Sequence, residues 1–252
     1  MNNINDKIEM FCNALLNSVE SELSRKRGYG CVSYTSSGSH NDMDYRTFLN
    51  SANAIVEKLK VIKPFDYSNF SNLKKFGLEV EKAMFKATNG INTHKGLIFL
   101  LLFIYREWLV ETPYHDIPSS IKIFSKDLKN DYINPINSAK LHNFGLNDIR
   151  TFPLSGYEFI FDFINLTKID TNLCDEDKKT LYLLSHIDDT TTVKRSNIET
   201  LRFLQDKSKN TLKNYTESSA DELNKYYIQN NISSGGVADV LTTANLILNL
   251  WR

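Results

Sequence analysis

Nine consecutive residues, Leu97-Ile98-Phe99-Leu100-Leu101-Leu102-Phe103-Ile104-Tyr105, leave a helix no polar face. A helix of that character has to lie inside a protein, with neighbours all round it. It is too short to span a bilayer, which takes about 20 apolar residues, and Arg106-Glu107 ends it. The fold must therefore be built around a helix over residues 93–110. Its entry reads Gly90-Ile91-Asn92-Thr93-His94-Lys95-Gly96. Asn92 or Thr93 can cap it by accepting from free backbone N–H groups. His94 and Lys95 then stand in the first turn, where the positive end of the helix dipole prefers anions. A phosphate bound there would resolve the conflict, and local conflicts of this kind mark functional sites. A plain capped helix with a solvated Lys95 is the other reading. The GxxxxGK[ST] pattern of a Walker loop is absent.

The rest of the chain repeats the helical period. Ile4, Ile8, Phe11, Leu15, Val19 and Leu23 make one stripe over 4–23. Phe48, Leu49, Ala52, Ile55, Val56, Leu59 and Ile62 make another over 44–63, stopped by Pro64. Further helices are expected at 70–88, from a Ser119-Ser120 cap to about Leu128, and at 156–168, 175–187, 196–209, 217–231 and 235–250. Residues 24–43 lose the period and read as loop. Residues 130–155 are the least readable, with a weak helical pattern at Asn137–Asn143. No alternating β pattern runs beyond a few residues, and no low-complexity linker divides the chain. The expectation is an all-α single domain over 1–252, an orthogonal helical array around helix 93–110.

Composition excludes some partners. Formal net charge is zero over 252 residues, which argues against bulk attraction to nucleic acid or an anionic membrane. Cys12, Cys31 and Cys174 are odd in number and far apart, with no CxxC, so neither a disulfide framework nor a zinc site is expected. The first residues lack a signal-peptide pattern, and a reducing cytoplasm is the simplest location.

Three further stretches could carry chemistry. Ser39-His40-Asn41-Asp42-Met43-Asp44 puts two carboxylates and an imidazole at a loop-to-helix junction. Such carboxylates can hold Mg²⁺ or act as a general base; either can instead merely cap the helix. Asp188-Asp189 closes a helix whose dipole it opposes, with Arg195 six residues on; a metal or a nearby cation can compensate the carboxylates, or the turn is a plain solvated acidic one. Ser233-Ser234-Gly235-Gly236 opens the last helix as an anion cradle or as a plain interhelical turn. Together these clusters suggest a polyphosphate bound with Mg²⁺.

Gly38-Ser39-His40-Asn41-Asp42-Met43-Asp44 resembles the G-[AS]-H-K-D-M-D motif of the triphosphoribosyl-dephospho-CoA synthase family. Gly90 to Gly96 is similar to its G-V-N-T-H-K-G. Asp188-Asp189-Thr190 with Arg195 resembles its D-D-T-N-x-x-x-R-G-G, and Ser233 to Asp239 with Leu241 its S-P-G-G-S-A-D-L-L. Departures are as definite. The family's T-P-K-P-G is Ser24-Arg25-Lys26-Arg27-Gly28 here, and R-G-G becomes Arg195-Ser196-Asn197. Its G-A-R-G-E-A becomes Asn143-Phe144-Gly145-Leu146-Asn147-Asp148, losing an Arg and a Glu.

The resemblance implies transfer of the 5-triphosphoribosyl group of ATP to the 2′-hydroxyl of 3′-dephospho-CoA or a related acceptor, with release of adenine. It implies Asp42 or Asp44 as base or metal ligand, His40 as acid for adenine departure, and Asp188 and Asp189 as Mg²⁺ ligands. His94, Lys95 and Arg195 would hold the triphosphate, with Ser39, Asn92, Thr93, Ser234, Gly235, Gly236 and Asp239 also on the nucleotide. His40, Asp42, Asp44, His94, Lys95, Asp188, Asp189, Arg195 and Gly235 should line one cleft. A Mg²⁺-dependent N-glycosidic hydrolase and an inactive nucleotide-binding paralogue stay open. The altered 143–148 segment implies adenine release but poor transfer to 3′-dephospho-CoA, unless Lys140 or Arg150 substitutes.

Overall fold

The computed structural model describes residues 3–61, 69–132, 146, 148–173 and 175–251. The expected stop at Pro64, the helical pattern at Asn137–Asn143, Lys140, Cys174 and most of the 143–148 segment lie outside the described residues. Among those described there are helices and no strand, only an isolated bridge between Ser33 and Ser36. None of the helices is long and apolar enough to cross a membrane.

The helices are α1 (Ile4–Leu23), α2 (Tyr45–Lys60), α3 (Phe70–Ala87), α4 (Lys95–Leu109), α5 (Ile117–Phe124) and α6 (Leu128–Tyr132). They continue with α7 (Glu158–Ile169), α8 (Glu176–His186), α9 (Thr190–Arg195), α10 (Ile198–Lys213), α11 (Glu217–Gln229) and α12 (Gly235–Leu250). As the apolar run requires, α4 is central: every residue from Leu100 to Tyr105 is buried. Its partners are α12, α3, α1 and the 3₁₀ turn Ile149–Ser155. The α12 helix is nearly as enclosed and also packs on α1, α7 and α8, so one contiguous core runs through both halves of the chain. The α4–α12 pairing brings two helix N-termini, Lys95 and Gly235, to one cleft.

Two expected boundaries are corrected. Ser119 and Ser120 do not open a helix; α5 begins at Ile117 with Pro118 in its first turn, where a missing N–H costs nothing. The acidic turn after α8 also carries a short helix of its own, α9, because Asp189 caps it.

Residues 24–43 are irregular, as their composition indicates, yet much of the segment is buried. Arg27 is 2% exposed and reaches Asp177, Glu217 and Asp221, with its Nε donating to Asp221 at 2.7 Å. A buried cation needs such partners. Tyr29 N–H donates to Asn224 Oδ1 at 2.8 Å. These contacts pin the loop to α8 and α11 and so fix where His40 emerges.

Candidate active site

The first turn of α4 does not need a ligand to satisfy it. Lys95 N–H donates to Asn92 Oδ1 at 3.3 Å. Leu97 N–H donates to the Asp239 carboxylate, from the second turn of α12. Asp239 lies so close over Gly96 that a Cβ there would fall 3.0 Å from its Cγ and closer still to Oδ2. The hydrogen-bond acceptor that the sequence calls for at this helix end is thus supplied by the protein itself.

His94 precedes the helix and is 4% exposed. Burial pushes its imidazole down to about 3, so it is neutral and is not the expected cation for the triphosphate. Thr93 Oγ1 donates to Ser51 Oγ at 2.7 Å, and Ser51 Oγ lies 2.6 Å from His94 Nδ1. The buried Ser51 proton therefore goes to Nδ1, leaving Nε2–H as a neutral donor. Lys95 is the cation of this turn, half exposed and 3.0 Å from Glu81.

Asp189 caps two helices. Its Oδ1 accepts from Thr191 N at 2.7 Å and Thr192 N at 3.2 Å, and its Oδ2 accepts from Val237 N at 3.2 Å. Burial raises it to about 6 against the pull of those backbone donors. It stands directly behind Gly236, whose Cβ would meet the carboxylate at 3.4 Å. The neighbouring Asp188 is turned away from the cleft, because Arg202 and Gln205 of α10 take its carboxylate. The expected pair of adjacent metal ligands is therefore split.

Ser39 and Ser234 are buried ties. Ser39 Oγ donates to Ile232 O at 2.6 Å, and Ser234 Oγ donates to Tyr29 O at 2.9 Å. Both hydroxyls are spent on backbone carbonyls rather than aimed at a phosphate. Arg195 donates to Ser39 O at 2.8 Å and to His40 Nδ1 at 3.0 Å. An arginine can only donate, so His40 Nδ1 is the acceptor and Nε2–H donates to Ser233 Oγ at 3.1 Å. Burial and then Arg195 lower the His40 pKa, with Asp42 opposing. That neutral imidazole is poorly suited to the acid role expected of it. Asp42 is exposed, 3.9 Å from His40. Asp44 takes the capping alternative: its Oδ1 accepts from Thr47 N at 3.0 Å, a bond that lowers its pKa.

The cleft between these elements encloses about 250 Å³. Of the expected residues, His40, Asn92, Thr93, His94, Lys95, Gly235, Gly236 and Asp239 line it. Asp42, Asp44, Asp188, Asp189 and Arg195 do not, although Asp189 and Arg195 back residues that do. The lining also includes Glu22, Phe48, Asp148 and Lys194, to which sequence reasoning gave no lining role, and Arg150, which it named only as a substitute for the family's missing arginine. Asp148 is 2% exposed, and its Oδ1 accepts from Arg150 Nε at 3.0 Å. Only their place just ahead of Phe152-Pro153, beside the family's missing Arg and Glu, hinted at them. Glu22 had no signal; it sits in the last turn of an ordinary amphipathic helix and pairs with Arg25.

The electrostatics are uneven. Asp239 is pushed well above the usual carboxylate range, by burial and then by Asp189, Glu22 and Asp148, against the Leu97 N–H. Carboxylates thus crowd one region, while Lys95, Arg150 and Lys194 also line the cleft. Among the described residues no group of three or more His, Cys, Asp or Glu side chains is placed to hold a metal ion by itself.

Comparison with known proteins identifies the family. A Photobacterium profundum protein named "Probable 2-(5''-triphosphoribosyl)-3'-dephosphocoenzyme-A synthase" is 30% identical over 88% of this chain and 81% of its own length. The Pectobacterium atrosepticum 2-(5''-triphosphoribosyl)-3'-dephosphocoenzyme-A synthase is 27% identical over 86% of this chain and 81% of its own length. A solved structure from Archaeoglobus fulgidus, whose name places it with the triphosphoribosyl-dephospho-CoA synthases, shares the fold. It has a TM-score of 0.52 and 17% identity, and the match covers 82% of this chain and 100% of that one. Residues 10–109 and 143–252 match the CitG family, described as ATP:dephospho-CoA triphosphoribosyl transferase. On that match, which takes in α4, α12 and every cluster lining the cleft, the chain belongs to the ATP:dephospho-CoA triphosphoribosyl transferase family.

Proposed function

We propose that this chain transfers the 5-triphosphoribosyl group of ATP to the 2′-hydroxyl of 3′-dephospho-CoA and releases adenine. The observation that carries this reading is the pairing, in one cleft, of proton-hungry Asp239 with the cations Lys95, Arg150 and Lys194. The bond between ribose C1′ and adenine N9 breaks, and its electron pair leaves with adenine, which takes up a proton from water. The bond from the acceptor oxygen to C1′ forms, and the hydroxyl proton passes to Asp239. A raised pKa brings a carboxylate base nearer to working pH. Positive charge developing at C1′ is favoured by the same crowded carboxylates that repel one another before reaction.

The rim cations suit the triphosphate, and neutral His94 offers it, or a ribose hydroxyl, a hydrogen bond from Nε2–H. The missing β-carbons of Gly235 and Gly236 make room for Thr191 and Asp189, and the Val237 N–H of the same turn is already given to Asp189. Arg150 lines the cleft, in keeping with the substitution for the family's missing arginine, so 3′-dephospho-CoA is retained as the acceptor. Magnesium fits in the loose sense usual for this ion, with one or two carboxylates plus substrate phosphates and waters. Asp148, which lines the cleft and shares its carboxylate with Arg150, would hold it, and the ion would neutralise phosphate charge. Free buried thiols at Cys12 and Cys31 suit a reducing cytoplasm.

The test is chromatography of adenine released from ATP, with and without 3′-dephospho-CoA, and mass detection of the adduct. Adenine and adduct in equal amounts are expected. Adenine without adduct would favour hydrolysis, and neither product would end the transferase reading.

A further inference from the structure

The cleft of about 250 Å³ is small beside the range of roughly 300–1,000 Å³ usual for ligand sites, yet two nucleotide-sized substrates must meet in it. A second, larger groove of about 520 Å³ lies against it between α3 and α4. The two share Lys95 and Arg150. Beyond those cations Leu73, Leu78, Phe99, Leu102 and Phe103 form the apolar part of the wall, with Lys74 and Glu81 on its α3 side. Gly77 lies on its α3 side, where a Cβ would press on Leu102 Cδ1 at 2.8 Å; the helices meet closely there. Leu78 is 50% exposed, although the groove offers it apolar neighbours.

We propose that this α3–α4 groove binds the pantetheine arm of the 3′-dephospho-CoA acceptor, with Arg150 on its diphosphate and Lys95 between that diphosphate and the triphosphate of ATP. The inference rests on the transferase reading above. Going outward from the reacting 2′-hydroxyl, the acceptor presents a ribose, then two phosphates, then an arm carrying a gem-dimethyl group. The protein presents in the same order a reaction cleft, two shared cations and an apolar groove. Charge and apolarity match step by step. The triphosphate of ATP matches only the first two steps, and its adenine leaves during the reaction.

The experiment compares the wild type with Leu78→Glu and Phe99→Ala, using 3′-dephospho-CoA and, as an acceptor cut off after the diphosphate, ADP. Leu78 is half exposed, so a carboxylate there leaves the fold intact, and thermal melts verify this for both variants. A charge in the apolar groove should raise KM for 3′-dephospho-CoA about tenfold or more, with KM for ATP moving less than about twofold. The preference for 3′-dephospho-CoA over ADP should shrink in both variants. Adduct formation by the wild type with unchanged acceptor KM in both folded variants would overturn the groove assignment alone. A rise confined to ATP would give the groove to the donor and overturn it too. If the wild type forms no adduct with any acceptor, the transferase reading fails and the groove assignment with it.

Discussion

Asp239 Oδ2 occupies the space that a β-carbon on residue 96 would need, so Gly96 and Asp239 are two halves of one feature. The glycine lets the carboxylate of α12 reach the first turn of α4, where Leu97 N–H receives it. Gly96→Ala should therefore displace Asp239 while α4 stays helical, since Ala is the better helix former. A fall in kcat of about a hundredfold or more is expected, with a melting temperature within a few degrees of wild type. Unchanged kcat in the folded variant would remove Asp239 from the chemistry.

Asp239→Asn keeps an oxygen for Leu97 N–H but removes the base and one of the charges crowding the cleft. The kcat should fall by about 10²–10⁴, while thermal stability holds or rises because Asp189, Glu22 and Asp148 no longer face a like charge. Loss of stability together with activity would point to a structural role for the charge.

Asp189 gives a pH signature. Its folded pKa of about 6 lies above the ordinary carboxylate value, so between the two the folded state binds the extra proton. Stability from this group is therefore highest at low pH and falls as pH rises through that window, by on the order of 3 kcal/mol. Denaturant titrations of wild type and Asp189→Asn at pH 4, 5 and 6 should show their stability difference shrinking as pH rises. A pH-independent difference would mean that Asp189 ionises normally.

His94 carries the opposite sign. Its folded pKa of about 3 lies below the unfolded value, so the unfolded chain binds a proton first on acidification. Its contribution to stability is present near neutrality and declines below about pH 6.5. By NMR, the imidazole resonance assigned through a His94→Gln variant should stay at its neutral position from pH 8 to pH 5. Titration near pH 6 would instead make His94 a cation available to phosphate.

Lys95→Ala tests the rim. A charge-assisted contact to phosphate is worth roughly 1.5–3 kcal/mol, so ATP affinity by calorimetry should weaken about tenfold. Its partner Glu81 should then be left repelling phosphate, and Glu81→Gln in the same background should recover part of the loss.

The sequence by itself determined what short-range periodicity can specify. The run from Leu97 to Tyr105 had to be an interior helix, and the stripes of 4–23 and 44–63 had to be helices with one buried face. Their ends were legible because caps are local: Asp44 accepts from Thr47, three residues away. Motif residues were legible as a set, and several of them meet in one cleft. Their individual roles were not, because these depend on partners far off in the chain. Asp188 and Asp189 are neighbours in sequence, yet one turns to Arg202 and the other to Val237. Arg27 is buried only because Asp177, Glu217 and Asp221 surround it. His94 reads as a cation and is neutral, because burial against α2 removes the water that would solvate its charge. Protonation, ion pairing and the filling of helix ends are set by dielectric surroundings and by groups brought within 3 Å. The packing of α4 against α12 creates those surroundings, so only the tertiary structure decided them.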